Sequence, residues 1–308
     1  MPRPSWVRPA DAHRPRPVRV GAVTVTPVVQ FRYRVDPALF FPDLVLDGLD
    51  GLDGLDDWYL RPPYCDDGFL VVDIGAFVVR TPDRTVLVDA GVGDAKTRPN
   101  PCFDGRADGW LDRLGRAGAA PEQVDAVVFT HLHVDHVGAA IRPGAAEPAF
   151  PAARYVTTRA ELDHWTGPRS AGDRARLGDY LADSVLPLRA AGVLDVVSPD
   201  HELCAEVRRL PAPGHTPGNV CVEVRSEGER AVFAGDVVHH ALQLARPALS
   251  TDFCVENARA TASREALLRD IADTETLLFP AHFPEAAPGR VVTDPLGGYR
   301  YVPIGPAS

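Results

Sequence analysis

Apolar residues in this chain fall into short runs that end abruptly in a polar residue or a glycine. Residues 18–29 alternate and are rich in β-branched side chains, which predicts a first strand or hairpin. Residues 69–79 and 85–88 predict two buried strands about the turn Thr81-Pro82-Asp83, and Ala126-Val127-Val128-Phe129 predicts another. A short strand is expected at 154–157. Residues 204–210, 220–225 and 231–234 predict three antiparallel strands, the last two joined by the turn Ser226-Glu227-Gly228-Glu229. A strand at 277–280 follows, and from 291 onward the chain reads as a strand or a tail.

Helical periodicity is confined to the gaps. Residues 110–118 carry Leu111 and Leu114 on one face, and 121–123 make a single turn. Residues 158–165 open with Thr158 and place Glu161 three positions on, the capping-box pattern. The longest pattern, 173–191, has Leu177, Leu181, Val185 and Leu188 on one stripe, interrupted by Pro187. Residues 257–271 form the last helix. Two β-rich runs that each finish in helices suit two sheets packed face to face with helices outside.

Composition narrows the function classes. The chain has 308 residues and a net charge of −10, from 42 acidic and 32 basic residues, which disfavours a protein built to grip nucleic acid. Its five cysteines are scattered and form no CxxC pair, so neither a disulfide framework nor a thiolate zinc site is expected. No apolar run is long enough to span a bilayer, and the expectation is a cytoplasmic protein without a membrane partner. Residues 1–17, rich in Pro and Arg, read as a mobile arm, with 18–308 as one domain. The near-repeat within the segment 47–57 reads as an acidic surface loop and, with Trp58 and Tyr59, as a flap over a site.

The chemistry concentrates where the apolar runs end. Ala126–Phe129 runs into Thr130-His131-Leu132-His133-Val134-Asp135-His136, four side chains of metal-ligand type within six residues. The same arrangement recurs at Gly214-His215-Thr216, at Gly235-Asp236 after Val232-Phe233-Ala234, and at Ala281-His282 after Leu277-Leu278-Phe279. Strand ends are where α/β proteins place their sites. Asp89, followed by Ala90-Gly91-Val92-Gly93, ends another strand and is a candidate to orient a ligand. His239 and His240, close behind Asp236, are candidates to brace the site or touch substrate, and Asp252 and Gln243 are weaker pocket candidates.

His131-x-His133-x-Asp135-His136, His215, Asp236 and His282, in this order, resemble the metallo-β-lactamase superfamily. The intervals of 79, 21 and 46 residues between the four motifs resemble the branch of methyl parathion hydrolase-like enzymes and N-acyl-homoserine lactonases. Ala90 departs from the Thr or Cys more usual there. The resemblance implies a four-layer αββα sandwich of two mixed β-sheets with outer helices and a dinuclear metal site. It implies that His131, His133 and His215 bind one ion, that Asp135, His136 and His282 bind the other, and that Asp236 bridges them. With nitrogen and oxygen donors alone, two Zn2+ ions are expected, with Mn, Fe or Co as alternatives. The implied activity is attack of a bridging hydroxide on an ester, lactone or phosphotriester, with Asp135 as catalytic residue. Thioester hydrolysis of the glyoxalase II type and a non-catalytic metal-binding or sensor role are the alternatives. The expected partner is a small-molecule substrate, with a homodimer implied by the resemblance.

Overall fold

The computed structural model describes residues 8–9, 16–47, 58–284 and 288–304. The expectations for the arm at 1–17 and the loop at 47–57 therefore fall largely outside the described residues.

Two mixed sheets form the centre. In the first, β1 (Arg8–Pro9) and β2 (Val18–Val20) pair with the long β3 (Val23–Val35). β4 (Cys65–Asp66) and β3 flank β5 (Phe69–Arg80), which pairs antiparallel with β6 (Thr85–Val88). From β6 the sheet turns parallel through β7 (Ala126–Val128), β8 (Arg154–Thr158) and β9 (Leu194–Val197). The second sheet runs in chain order: β10 (Val207–Pro211), β11 (Val220–Ser226), β12 (Glu229–Phe233), β13 (Leu277–Phe279), β14 (Gly289–Thr293) and β15 (Tyr299–Pro303). Only β12 and β13 are parallel there.

The near-continuous apolar runs follow from burial on both faces. Val86 and Val88 of β6 point between the sheets, where they join Val222 and Val224 of β11 and Phe233 of β12. Leu87, Cys221 and Val232, one step out of phase, face the outer layers with Trp110, Leu114, Leu268 and Ile271. Phe77, Phe233 and Phe279 interlock across the gap with ring centroids 4.9–5.8 Å apart. These paired layers are the αββα arrangement expected from the motifs.

Three local differences have physical causes. The helix expected over 173–191 is broken into Ala171–Leu177, Tyr180–Ser184 and Leu186–Ala190. Gly178, at φ +84°, ends the first piece, and Pro187 removes a backbone donor at the start of the third. β9 was not foreseen because its residues are all half-buried and carry no clean alternation. It is held at the sheet edge partly by Arg154 of β8, which pairs with Asp195. The segment that precedes the acidic repeat, for which no helix is expected, forms two short helices, Pro37–Phe40 and Pro42–Asp47, the first capped by the Asp36 carboxylate on the Ala38 N–H at 2.9 Å.

On the outer face of β11, Glu223 is fully buried beneath Arg208, Arg225 and Arg230, the last two at 2.9 and 2.6 Å. Burial alone would raise its pKa, but the three guanidinium groups override that and pull it down to about 2. A depressed carboxylate pKa contributes stability that is present above the ordinary value and lost as pH falls toward the folded one. The Glu223→Gln variant should therefore be less stable by about 2 kcal/mol at pH 7. The difference should shrink between pH 4.5 and 2, as urea titrations at several pH values will read.

Candidate metal centre

The site is assembled at the ends of the parallel strands. β6 ends at Val88 and delivers Asp89, β7 leads into Thr130–His136, β12 leads into Asp236, and β13 leads into His282. His215 enters from the loop between β10 and β11. Gly235 makes the junction possible. It lies at φ +51°, and a Cβ there would stand 2.8 Å from the Thr130 Cβ, so a side chain would push the loops that carry His131 and Asp236 apart.

Seven predicted residues converge in two groups. His131, His133, His215 and Asp236 form one, and Asp135, His136 and His282 the other, with donor atoms in each group within 4.8 Å of one another. In the first group His131 Nε2, His133 Nδ1 and His215 Nε2 stand 2.8–3.2 Å apart. Asp236 lies between the groups and divides its oxygens. Its Oδ2 is 3.2 Å from His215 Nε2 and 3.7 Å from His131 Nε2. Its Oδ1 is 3.2 Å from His136 Nε2 and 3.0 Å from His282 Nε2. Asp135 Oδ2 stands 3.7 and 3.8 Å from the same two nitrogens.

Outer partners aim the rings. Asp89 accepts from His136 Nδ1 at 2.8 Å, from the Thr130 N–H at 2.8 Å and from the Thr130 hydroxyl at 2.9 Å. The hydroxyl gives its one proton to Asp89, so it accepts from His131 Nδ1, 3.1 Å away, and leaves the Nε2 lone pair facing inward. One carboxylate thus fixes the tautomers of His131 and His136. Asp89 holds this position at φ +60°, a left-handed conformation that costs roughly 1–2 kcal/mol for a side-chain-bearing residue. His282 Nδ1 donates to the Asp73 carbonyl at 3.0 Å, which aims its Nε2 at Asp236. Ala90 contributes only backbone: its N–H donates to the His136 carbonyl and its own carbonyl accepts from Trp110 Nε1.

These groups fit a cation. Burial, reinforced by the neighbouring histidines, pushes His131 and His133 well below the ordinary imidazole pKa, so both present lone pairs. Two lone pairs and the protonated His215 ring meet in a 3 Å triangle, where a proton holds the place that a metal cation would take. Nitrogens bound tetrahedrally at 2.0–2.1 Å would stand about 3.4 Å apart, so the triangle is only slightly contracted from that spacing. His136 Nε2 is buried without a hydrogen-bond partner. Its cation is disfavoured by burial but favoured more by Asp236, Asp89 and Asp135, which raise its pKa. Asp236 raises His282 and lifts His215 to about 9 against the same burial. Asp236 itself is held far below the usual carboxylate range: burial opposes its charge, and the surrounding imidazoles prevail.

The remaining candidates separate. His239 lines the cleft, with Nε2 3.3 Å from Asp236 Oδ2 and neither ring nitrogen hydrogen-bonded. Burial pushes its pKa down to about 4. His240 points elsewhere: its Nε2 donates to the Tyr64 carbonyl and its Nδ1 accepts from the Leu242 N–H. Gln243 braces this segment, accepting from the His239 N–H and donating to the Leu249 carbonyl. Asp252 is exposed and paired with Arg176 outside the cleft. The cleft, about 550 Å3 with its open mouth, is walled by Tyr33, Phe40, Phe103, Leu177 and Phe253. None of these five was singled out as a site residue from the sequence. The alternation Phe31-Arg32-Tyr33-Arg34-Val35, which prolongs the first strand, carried the signal for Tyr33.

Comparison with known proteins shows the family and the fold. The family described as the Metallo-beta-lactamase superfamily matches residues 74–282, a stretch that holds all seven converging residues. An N-acyl homoserine lactonase of Bacillus sp is 24% identical over 170 residues, covering 51% of this chain and 60% of the relative. One from Bacillus cereus is 26% identical over the same shares. The chain thus spans about 60% of the length of the curated relatives it matches. Among solved structures, a hydrolase of the beta lactamase superfamily, AbOPH, superposes with a TM-score of 0.79 at 24% identity, covering 96% of this chain and 98% of that one. AidC, a dizinc quorum-quenching lactonase, gives 0.79 at 20% identity, over 95% and 98%.

Ligands must be deprotonated to bind metal. His136, His215 and His282 have raised pKa values in the metal-free protein and are protonated below them. Adding Zn2+ at pH 7 in weakly buffered solution should release protons, and apparent affinity should fall as pH is lowered from 8 to 6. A pH indicator and a competing chelator read both.

Proposed function

The chain belongs to the Metallo-beta-lactamase superfamily, and from that premise we propose that it is a dinuclear metal-dependent hydrolase of a lactone, ester or phosphotriester, with a lactone favoured. The division of the Asp236 oxygens between two sets of imidazoles carries the reading. His131, His133 and His215 would hold one divalent ion, most simply Zn2+, and Asp135, His136 and His282 the other, with Asp236 shared between them. When bound, such ions supply Lewis acidity, lowering the pKa of water and polarising the bond to be attacked.

The chain's own groups supply orientation and proton transfer. Asp135 and Asp236 are the two carboxylates that line the cleft, and Asp135 is the less enclosed. It orients the attacking water and passes a proton to the leaving group. Tyr33 lines the same cleft, and burial, reinforced by Asp135 and Asp236, raises its pKa and keeps it a phenol, a hydrogen-bond donor. In this reading it donates to an oxygen that gains charge. His239, held neutral by its burial, faces the same region. The walls of Phe40, Phe253 and Leu177 suit an apolar acyl or aryl group beside the scissile bond. Curated relatives named N-acyl homoserine lactonase favour a lactone within the broader class.

The metal-reconstituted protein should hydrolyse N-acyl homoserine lactones with a higher kcat/KM than p-nitrophenyl esters or paraoxon-like triesters. Asp236→Ala should lose both ions and all turnover. Turnover of the lactones by a chelator-stripped preparation, or normal metal content in Asp236→Ala, refutes the metal reading. Two ions per chain with no turnover of any substrate supports a non-catalytic role.

Tyr33→Phe should retain both ions and lose about 100- to 1,000-fold in kcat, in line with the loss of one hydrogen bond to developing charge. An unchanged kcat removes Tyr33 from the mechanism.

A further inference from the structure

The first ligand group draws on both sheets. His131 and His133 follow β7 of the first sheet, whereas His215 lies in a loop of the second. A ring triangle 3 Å on a side needs those loops held to a fraction of an ångström. One backbone bond joins them, from the Val220 N–H to the Thr130 carbonyl at 2.9 Å. The other connection is a side chain.

Glu161 is fully buried. Its Oε1 accepts from the Leu132 N–H at 2.9 Å, and Leu132 sits between His131 and His133. Its Oε2 accepts from the Gly218 N–H at 3.0 Å, three residues beyond His215. Oε1 also accepts from Trp165 Nε1 at 2.6 Å, and the Trp165 ring packs against His133 at 5.0 Å between centroids. Three N–H donors therefore converge on it, the complement an acceptor-only carboxylate satisfies. Thr158 completes the grip: its hydroxyl donates to the Gly218 carbonyl at 3.1 Å and accepts from the Glu161 N–H at 3.1 Å. Gly218 is held by both its N–H and its carbonyl. A Cβ there would stand 2.2 Å from Thr158 Oγ1 and 2.4 Å from the Glu161 nitrogen, so only glycine lets the loops come this close.

Half of the capping box is therefore present. Thr158 caps the helix Arg159–Thr166, but the Glu161 carboxylate does not return to the helix start and leaves for the two ligand loops. Arg209, also buried, is the nearby cation: burial lowers its pKa to about 10, and Glu161 opposes the shift.

We propose that Glu161 is a positioning residue that ties the His131–His133 turn to the His215 loop and so presets the first metal pocket before metal arrives. The proposal rests on the metal reading above. Glu161→Gln keeps one acceptor oxygen and turns an amide N–H2 toward the other loop's donor, so it satisfies one loop and repels the other.

Zn2+ titration against a chromophoric chelator tests it, with His282→Ala used to assign the step that belongs to the second group. Glu161→Gln should weaken the first-group step about 10–100-fold, as loss of a ligand-orienting partner does, and leave the second-group step unchanged. Hydrogen exchange on the metal-free wild-type protein gives an arm that needs no variant: the Leu132 and Gly218 amides should be as protected as those of β7 and β11. Equal weakening of both steps with a lowered unfolding midpoint, unchanged binding, or rapid exchange of those amides overturns the proposal. A wild-type protein that takes up no metal overturns the metal reading itself, while the exchange arm still reports whether the loops are tied.

Discussion

Everything at the site depends on one constraint: the Asp236 carboxylate must reach two sets of imidazoles at once, and each set draws on both sheets. A carboxylate buried among five histidines tolerates little displacement. Its charge is sustained only by neighbours at 3.0–3.7 Å, since burial by itself opposes ionisation. The two sheets must therefore meet at one edge in a fixed register. The interlocking aromatic rings of Phe77, Phe233 and Phe279 pack the gap from within, close behind the strands that end in Asp89, Asp236 and His282.

Around that centre the energetics run against the protein until a cation is present. Lone pairs of His131 and His133 face one another, the buried His136 Nε2 makes no hydrogen bond, and Asp89 carries left-handed backbone strain. These costs are local and are offset by packing elsewhere, the usual situation at functional sites. Two buried carboxylates do the aligning. Asp89 fixes ring tautomers within the first sheet's loop, and Glu161 spans the gap between loops. The same strand ends that carry the ligands also carry the groups that aim them.

The sequence made the centre legible because the converging side chains follow apolar runs with sharp ends, and a strand end fixes where its next residue lies. Val128-Phe129 before His131, and Phe233-Ala234 before Asp236, are such ends. The sandwich was equally readable from runs buried on both faces. The helical segment over 173–191 was not, because apolar spacing survives a helix break at Gly178 that only backbone conformation reveals. Nor was the cleft wall: Tyr33, Phe40, Phe103 and Phe253 are ordinary apolar or aromatic positions until the fold brings them together. Glu161 was visible but misread. Its spacing from Thr158 announces a local cap, and nothing in a linear pattern tells that the carboxylate bonds to loops 29 and 57 residues away.

The proposed dinuclear chemistry requires Asp236 to lie between two ions. Anomalous diffraction at the zinc edge, from crystals of the protein grown with Zn2+, locates them directly. Two peaks are expected, one on each side of the Asp236 carboxylate, each about 2.0–2.2 Å from one of its oxygens. One should contact His131, His133 and His215, and the other His136 and His282. A single peak, or two peaks of which neither touches Asp236, would contradict the shared-carboxylate arrangement and the dinuclear chemistry built on it.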